Sequence, residues 1–396
     1  MQLKHLLTGA ALILASVVCV PGFAVASKSS MVVLYAFSGA EDGLYPNAGI
    51  IMDPEGNIYG ATWGGGNQNC YMGCGTVFKL SPTGTFTVLH SFNGTDGDKS
   101  EAPLIVDKYG VLYGTTNEGG AYSYGTVFKL TPDGSETVLH SFRHDGSDGI
   151  LPTGGLIMDK HGNLYGTSYS GGPYDSGTVF KISPHGRETV LHGFAGNDGN
   201  HPAAGLISDT DGNLYGTTAY GGTYSGCDIG CGTVFKLAPD GTETVLHSFN
   251  GSDGAGPEAE LLVDKQGNFY GTTTYGGIGS CYMECGIIFK LAPDLTETVL
   301  HSFPAKRRDG ENPLGGLIEN HKGDLFGTTY DGGPYYGGVV FKLEPDGSEH
   351  ILQPLSRGSG INPVGRLLMD RLGNLYGTAQ QGGAGGAGTI FKIQKN

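Results

Sequence analysis

The chain has 396 residues, a formal net charge of −15 and 72 glycines, so glycine exceeds twice its usual share of about 7%. A mainly helical protein is excluded, because glycine weakens helix interiors. Disorder also fits poorly, since 38% of the residues are hydrophobic and only 15% are charged. The acidic charge argues against nucleic-acid binding, which depends on Lys and Arg neutralising phosphates.

Residues 1–26 form a predicted secretory signal peptide. Lys4 supplies a positive charge, residues 6–20 are an apolar stretch, and Ala-Val-Ala at the end has the small-x-small pattern of a cleavage site. We therefore expect cleavage near Ala26 and a secreted or periplasmic protein in which residues 27–396 form one domain. No other stretch reaches the roughly 18 apolar residues of a membrane helix, so we expect no stable membrane anchor.

Four short motifs then repeat seven times, at spacings of 50–56 residues. We name them a (an apolar run such as residues 155–159), b (Asn-Leu-Tyr-Gly-Thr-Thr), c (Gly-Thr-Val-Phe-Lys-Leu) and d (Thr-Val-Leu-His-Ser-Phe). Each is rich in β-branched and aromatic residues, which predicts a strand. The a–b link Asp-x-x-Gly-Asn and the c–d link Pro-Asp-Gly predict tight antiparallel hairpins, whereas the b–c and d–a links are longer and more variable.

The two ends of the chain complete one unit. Residues 31–37 are a d motif with no a, b or c before it, and residues 388–393 are a seventh c motif with no d after it. An N-terminal strand d beside the C-terminal strands closes a ring and removes the open edges that invite aggregation. Four-stranded units of about 50 residues are typical of β-propellers. The sequence therefore predicts an all-β, seven-bladed β-propeller closed by its N-terminal outer strand.

The run Gly-Asn-Leu-Tyr-Gly-Thr-Thr, then Gly-Gly, then Gly-Thr-Val-Phe-Lys-Leu resembles the GloVer tandem repeat of exported bacterial proteins, over residues 32–393. The resemblance implies an exported, β-propeller-like protein. Many members of that family carry a C-terminal sorting anchor, whereas this sequence ends at Asn396 without one, so we expect soluble export. Because the family is largely uncharacterised, the resemblance implies no particular ligand or reaction.

Residues that recur in every unit are expected to serve the fold. The d-motif histidines are interpreted as packing residues, the c-motif lysines as stems that cover neighbouring side chains, and the a–b aspartates, such as Asp159, as turn formers. The d–a links carry Asp-Gly-x-x-Pro, as at Asp198, which predicts another turn. The alternative for these links is a ring of carboxylates that binds cations near the axis.

Six cysteines follow the signal peptide, as Cys-x3-Cys pairs within three b–c links: Cys70 and Cys74, Cys227 and Cys231, Cys281 and Cys285. A structural zinc site needs about four ligands, and the first pair has no cysteine-bearing neighbour, so a metal does not explain all three. In an oxidising compartment each pair is expected to form a local disulfide. We predict neither a metal nor a cofactor.

Candidate ligand residues are the positions in the b–c and d–a links that depart from the repeat. In a propeller these links emerge on one face, here called the long-loop face, and variable loops carry binding sites. The candidates are Trp63, Glu118, Tyr169, Tyr220, Tyr275, Tyr330, Asp331, Arg307 and Arg308. Rings can stack on sugars while carboxylates take the hydroxyls, which favours a glycan; packing of the loops on one another is the alternative.

Two functions are compatible with this pattern. The favoured one is a monomeric, exported binding or interaction scaffold whose ligand is a glycan or a protein. The alternative is a glycan-processing enzyme, a polysaccharide hydrolase or a uronate lyase, with Glu118 and Asp331 as the first acid candidates. Those two residues lie in units 2 and 6, which counts against them as a catalytic pair, and no catalytic residue is assigned.

Overall fold

The computed structural model describes residues 30–224, 227, 229–277, 285–303 and 309–395. Every regular element within these ranges is a β-strand. The described part of the chain contains no helix that could cross a membrane. The strands follow the four motifs of each unit, so the predicted all-β class is confirmed.

The strands fall into blades in chain order. After β1 (Met31–Ala36), blade 1 contains β2 (Ile51–Met52), β3 (Ile58–Thr62), β4 (Thr76–Leu80) and β5 (Phe86–Ser91). Blade 2 contains β6 (Ile105–Val106), β7 (Leu112–Thr116), β8 (Thr126–Leu130) and β9 (Glu136–Ser141). Blade 3 contains β10 (Gly149–Ile150), β11 (Ile157–Met158), β12 (Leu164–Ser168), β13 (Ser170–Gly171), β14 (Thr178–Ile182) and β15 (Glu188–Gly193).

Blade 4 contains β16 (Ile207–Ser208), β17 (Leu214–Thr218), β18 (Thr233–Leu237) and β19 (Glu243–Ser248). Blade 5 contains β20 (Leu262–Val263), β21 (Phe269–Thr273), β22 (Ile287–Leu291) and β23 (Glu297–Ser302). Blade 6 contains β24 (Ile318–Glu319), β25 (Leu325–Thr329), β26 (Val339–Leu343) and β27 (Glu349–Pro354). Blade 7 contains β28 (Leu368–Met369), β29 (Leu375–Ala379) and β30 (Thr389–Ile393), together with β1.

Each blade is a four-stranded antiparallel sheet in the spatial order a, b, c, d, and β10 and β13 add a two-stranded ribbon to blade 3. Blade 7 is completed by β1, which pairs antiparallel with β30 so that Met31 lies opposite Ile393. The backbone N–H of Gln394 also donates to the Ser30 carbonyl at 3.1 Å. The predicted closure by the N-terminal outer strand is confirmed.

The hydrophobic core lies between blades. Apolar clusters fill the space between each pair of consecutive blades described here, and one of them joins blade 7 to blade 1. Between blades 2 and 3 the rings of Phe142 and Phe180 meet edge to face, with centroids 5.1 Å apart. Such contacts add about 0.5–1.5 kcal/mol to the burial itself. Because each blade buries its faces only against two neighbours, the closed ring is the smallest complete unit.

This packing requires a glycine in strand b. Gly166 on β12 lies opposite Phe180 on β14, and a Cβ at Gly166 would lie 2.7 Å from Phe180 Cζ and 2.9 Å from Leu156 Cδ2. A similar approach of 2.8 Å or less to a strand-c phenylalanine recurs in the other blades, at Gly60, Gly114, Gly216, Gly271, Gly327 and Gly377. Part of the high glycine content is therefore space for the phenylalanine ring.

The turn and lysine interpretations are confirmed in blade 3. Asp159 accepts hydrogen bonds from the backbone N–H of His161 (2.8 Å) and Asn163 (2.9 Å) and from the Tyr165 hydroxyl (3.1 Å). These bonds lower the pKa of Asp159 against the opposing effect of burial. Lys181 Nζ lies 5.6 Å from the centroid of the Tyr165 ring, which is within the range of a cation–π contact.

The predicted disulfides Cys70–Cys74 and Cys227–Cys231 are present. Cys285 is also disulfide-bonded, and Cys281, its predicted partner, lies outside the described residues. The bonds close small loops within b–c links. They are consistent with the oxidising environment of an exported protein.

Candidate functional site

On the long-loop face, each d–a link pairs with the b–c link of the blade that follows it in the chain. In blade 2 the backbone N–H of Asp98 donates to the Glu118 carbonyl (2.8 Å), and the N–H of Glu118 donates back to Asp98 (2.9 Å). The next residue, Lys99, has a left-handed backbone (φ 60°). Its carbonyl accepts from the N–H of Asn117 (2.8 Å), and its own N–H donates to Cys74 of blade 1 (3.2 Å). The left-handed residue thus ties two blades together.

The same position is left-handed in the other six blades, at Tyr45, Leu151, His201, Gly256, Asn312 and Asn362. A positive φ costs a non-glycine residue of order 1 kcal/mol. Because this conformation recurs in all seven blades, the hydrogen-bonded d–a and b–c links are part of the fold and are not free loops. We call them the bridged layer. Side chains on this layer are therefore held in fixed directions.

The bridge separates the residues after motif b into two sets. The first residue after strand b is Trp63, Asn117, Tyr169, Ala219, Thr274, Tyr330 or Gln380, and the second is Gly64, Glu118, Ser170, Tyr220, Tyr275, Asp331 or Gln381. Successive residues of an extended chain point to opposite sides. The sequence pattern does not distinguish the two sets, and the structure separates them: Tyr169, Tyr330 and Gln380 of the first set line a cavity on the ring axis.

This axial cavity has a volume of about 490 Å³ and is lined by residues of all seven blades. Most of its wall consists of residues just before strand a, where small side chains such as Gly155 and Ala204 prevail. Four charged residues stand at these wall positions instead: Glu101, Glu258, Glu260 and Arg366. Strand a is therefore the innermost strand, and the axis carries charge only where the repeat is broken.

One of the three wall carboxylates is paired. Arg366 Nη1, from blade 7, lies 3.2 Å from Glu260 Oε2, from blade 5. The pair lies on either side of Gly316 of blade 6 and neutralises Glu260. The two wall carboxylates outside this pair are Glu101 and Glu258, and each repels an anion when it is ionised.

Glu101 lies in a corner built by blades 1 and 2. It accepts hydrogen bonds from Asn117 Nδ2 (3.2 Å) and from the Trp63 indole. Lys99 Nζ lies 5.2 Å from the centroid of the Trp63 ring and is bonded to Glu118 at 2.5 Å. Burial raises the pKa of Glu101, and Lys99 opposes that rise. This corner places the Glu101 carboxylate on the cavity wall, with an amide and an indole as its hydrogen-bond donors.

Glu258 lies in a second corner, built by blades 3 to 5. Its Oε2 accepts a hydrogen bond from Thr274 Oγ1 (3.3 Å), and burial raises its pKa. The ring of Tyr169 meets the His201 ring at 4.4 Å, and His201 lies 5.8 Å from the Tyr220 ring. Burial, followed by the charges of Tyr220 and Glu258, raises the pKa of Tyr169 to about 12, so this phenol remains a hydrogen-bond donor at neutral pH.

A third corner joins blades 6 and 7. The Tyr330 hydroxyl donates to Gln380 Oε1 (3.1 Å). Asn362 Nδ2 donates to the Tyr330 carbonyl and to Asp331 Oδ1, both at 3.1 Å. Asp331 is thereby tied to the neighbouring blade, while Tyr330 lines the cavity.

The predicted site residues therefore do not form one site. Tyr169 and Tyr330 line the cavity, and Trp63 is bonded to the cavity residue Glu101. Glu118 pairs with Lys99 and has a side chain 43% exposed. Tyr220 and Tyr275 belong to the second set, and the pKa of each is raised by burial and then by Glu258. Arg307 and Arg308 lie outside the described residues.

Sequence reasoning missed Glu101, Glu258, Glu260 and Arg366. These residues follow the d–a turn by one or three positions, a segment interpreted only as a turn. The available signal was a charged residue at a repeat position that most of the other units fill with a small or uncharged residue. That comparison identifies all four charged wall residues without a structure.

The d–a aspartates form turns, as predicted. Asp96 accepts from the backbone N–H of Asn93 (2.8 Å) and lies 3.1 Å from His90 Nε2, on the outer strand of blade 1. The alternative of an axial ring of these carboxylates is wrong, because their partners lie on the outermost strands. The histidines pack as predicted, with the His90 ring edge-on to Phe92 at 4.9 Å.

The fold resembles propeller domains of known structure. The extracellular domain of a protein named as a hybrid two-component system from B. thetaiotaomicron gives a TM-score of 0.58 at 12% identity, covering 93% of this chain and 42% of that one. The extracellular domain of a protein named as a one-component system from the same organism gives 0.53 at 11%, covering 88% and 39%.

A protein named as a 6-phosphogluconolactonase from Bacteroides uniformis gives a TM-score of 0.50 at 17% identity, covering 77% of this chain and 83% of that one. The chain spans about two fifths of the length of the first two proteins. At such identities the likeness shows the fold alone. Comparison with curated proteins gives no match.

The sequence pattern of the Gloeobacter/Verrucomicrobia repeat matches residues 23–229 and 219–396, nearly the whole chain. The match agrees with the GloVer resemblance drawn from motifs b and c. The chain belongs to the Gloeobacter/Verrucomicrobia repeat family.

Proposed function

We propose that the protein is an exported carbohydrate-binding propeller whose ligand enters the axial cavity from the long-loop face. One observation carries this proposal: a subset of the charged, aromatic and amide departures from the repeat lines one cavity. The Tyr169 phenol, the Gln380 amide and the Glu101 carboxylate line its wall, and the Trp63 indole donates a hydrogen bond to Glu101.

These groups match the chemistry of a sugar. The apolar faces of a pyranose pack on aromatic rings, and its hydroxyls need donors and acceptors that are already in place. The Tyr330 and Gln380 side chains are bonded to each other, and the Glu101 carboxylate is held by two donors. A volume of about 490 Å³ falls within the usual range of small-ligand sites, about 300–1,000 Å³.

The charge of the wall favours neutral or amine-bearing sugars over uronates. Glu258 has Thr274 as its hydrogen-bond donor, and no cation contributes to its raised pKa. A uronate placed beside two partly buried carboxylates would be repelled, whereas hydroxyl or ammonium groups would donate to them. The lyase hypothesis is weakened for the same reason.

The signs of export in the sequence and the structure also support carbohydrate binding. The disulfides in b–c links suit an oxidising compartment, and the proposal includes removal of residues 1–26 as a signal peptide. An extracellular or periplasmic propeller would meet polysaccharide directly.

The test is calorimetric titration of residues 27–396 with cello-oligosaccharides, chito-oligosaccharides in acetylated and deacetylated forms, and oligogalacturonate. Tyr169→Ala should lower affinity for the bound sugar at least tenfold, about 1.4 kcal/mol. The matched control is Tyr335→Ala, because Tyr335 lies in a b–c link with 63% of its surface exposed and does not line the cavity.

Three results would contradict the proposal. Absence of binding to every sugar of the panel would show that the ligand is not one of these carbohydrates. Equal effects of Tyr169→Ala and Tyr335→Ala move the site away from the axis. New reducing ends or an ultraviolet-absorbing unsaturated product would make the protein a hydrolase or a lyase instead.

A further inference from the structure

A second cluster of titratable groups lies at the blade junctions, outside the axial cavity. At the junction of blades 2 and 3, His140 Nε2 lies 3.0 Å from Asp148 Oδ2. Glu188, the first residue of β15, completes the group, and the three side chains bring ligand-type atoms within 4.8 Å of one another. Blade 2 supplies His140, the link supplies Asp148, and blade 3 supplies Glu188.

The same arrangement recurs at five consecutive junctions. Each has a histidine on the outer strand, an aspartate in the following link and a glutamate that begins the next outer strand: His90, Asp96 and Glu136; His140, Asp148 and Glu188; His192, Asp198 and Glu243; His247, Asp253 and Glu297; His301, Asp309 and Glu349. In the first four the histidine lies 3.0–3.2 Å from the aspartate. In the fifth, Asp309 acts electrostatically on both His301 and Glu349.

Each of the five glutamates has one buried carboxylate oxygen that lacks a donor among the described residues: Glu136, Glu188, Glu243, Glu297 and Glu349. At the second junction the carboxyl of Glu188 is also in hydrogen-bonding contact with that of Asp148. Asp148 is only 4% exposed and its Oδ1 likewise has no donor. Two ionised carboxylates only accept, so this contact needs a proton between them.

Burial provides the reason to keep that proton. Desolvation raises the pKa of Glu136, Glu243 and Glu349 to about 7 and that of Glu188 to about 8, and raises that of Glu297. Asp148, Asp145 and Arg143 face Glu188. The groups that face the other four are His90 and Asp96, His192 and Asp198, His247 and Asp253, and Asp309.

The two junctions of blade 7 are built differently. Tyr35 stands at the histidine position and Phe86 at the glutamate position, and their rings stack at 3.9 Å. At the junction of blades 6 and 7 the corresponding residues are Gln353 and Met31. Five junctions therefore carry a half-buried glutamate, and the two described junctions of blade 7 carry none at this position.

We propose that the five His-Asp-Glu clusters are proton-held latches, each keeping one carboxylic acid neutral between two blades. In alkaline solution the glutamate ionises beside an aspartate and the junction carries uncompensated buried charge. The folded glutamate holds its proton more tightly than the unfolded one. The contribution is therefore complete below the ordinary glutamate pKa of 4.5, declines as the pH rises above that value, and is fully lost once the pH has passed the folded values of about 7 to 8.

The test is the melting temperature of residues 27–396 from pH 6 to pH 9. We expect a fall of about 5 °C or more over this range, and Glu188→Gln should reduce it, because glutamine mimics the neutral acid. Replacing all five glutamates by glutamine should nearly abolish the fall and raise the melting temperature at pH 9. The matched control is Glu55→Gln at an exposed turn, which should leave the profile unchanged.

Two results would contradict the proposal that these clusters hold a proton. One is a pH profile that Glu188→Gln and the fivefold variant leave unaltered. The other is an increase in the melting temperature on adding Zn²⁺ that Glu188→Gln abolishes, which would make the clusters metal sites. If the fivefold variant does not fold, a measurement on the wild-type protein tests the proposal. Calorimetry at pH 7 in two buffers of different ionisation enthalpy should then show proton release on unfolding, and its absence contradicts the proposal.

Discussion

The axial cavity and the blade junctions are both built from carboxylates, rings and amides, yet they obey opposite sequence rules. At the junctions the same residues recur, as with His140 and His192, so each copy supports the ring equally. At the axis a charged residue occupies a given repeat position in only two of the seven units, as with Glu101 and Glu258. In a repeat protein, recurrence therefore marks the scaffold and departure marks the ligand site.

Deleting residues 31–37 should have the largest effect, because it removes the strand that closes blade 7. The apolar clusters on both sides of that blade include Met31 and Phe37 and would open to water. We expect loss of cooperative unfolding, measured by thermal circular dichroism, together with aggregation through the freed edge of β30. Adding a synthetic peptide of residues 30–37 should restore a cooperative transition. A deletion variant that melts like the parent would contradict strand closure.

Phe180→Ala should lower the free energy of unfolding by about 3–5 kcal/mol, because a fully buried ring would leave a cavity between blades 2 and 3. Urea denaturation measures this change. Tyr174→Ala, at a b–c tip with 64% exposure, should remain within about 0.5 kcal/mol of the parent. A loss below about 1 kcal/mol for Phe180→Ala would mean that the blade interface collapses around the gap.

Replacing both Cys70 and Cys74 by serine should cost about 2 kcal/mol, the loop-closure contribution of a short disulfide loop. Cys74 is buried in the cluster between blades 1 and 2, and its carbonyl accepts from Lys99. We therefore also expect weaker ligand binding at the Trp63 corner. The pair Cys227 and Cys231 offers a matched variant whose effect on that corner should be absent.

Glu101→Gln should have the smallest effect on stability, within about 0.5 kcal/mol of the parent, because the amide keeps the shape of a carboxylate whose ionisation burial already disfavours. Sugar affinity should nevertheless fall several-fold in the titration assay. A stability loss as large as that of Phe180→Ala would place Glu101 in the scaffold and remove the distinction between the two regions.

The architecture was predictable from the sequence because the template recurs seven times. Motif spacing gave the strand order, and the unpaired d motif at residues 31–37 gave the closure. The cysteine spacing gave two disulfides that the structure confirms. Each of these inferences depends on local contacts or on a periodic pattern.

The candidate site was predictable only in part. Tyr169 and Tyr330 were found because they interrupt the repeat beside strand b. Glu258 and Arg366 were missed, because no local rule shows that seven turn segments converge on one axis. The histidines were interpreted as packing residues, and their aspartate and glutamate partners come from the following link and the next blade, about 50 residues away in sequence. Such relations arise from ring geometry, not from a motif.

The pairing of β1 with β30 places Ser30 beside Gln394. The ring could therefore be opened at a different link without a change in the arrangement of its blades. A circular permutant could join these ends through a short linker and open the exposed d–a link between Asp145 and Gly146. Every blade would then come from one continuous segment, and the ring would close through packing between blades 2 and 3 alone. Its stability relative to the natural order would measure the contribution of a shared strand to the closure of the ring.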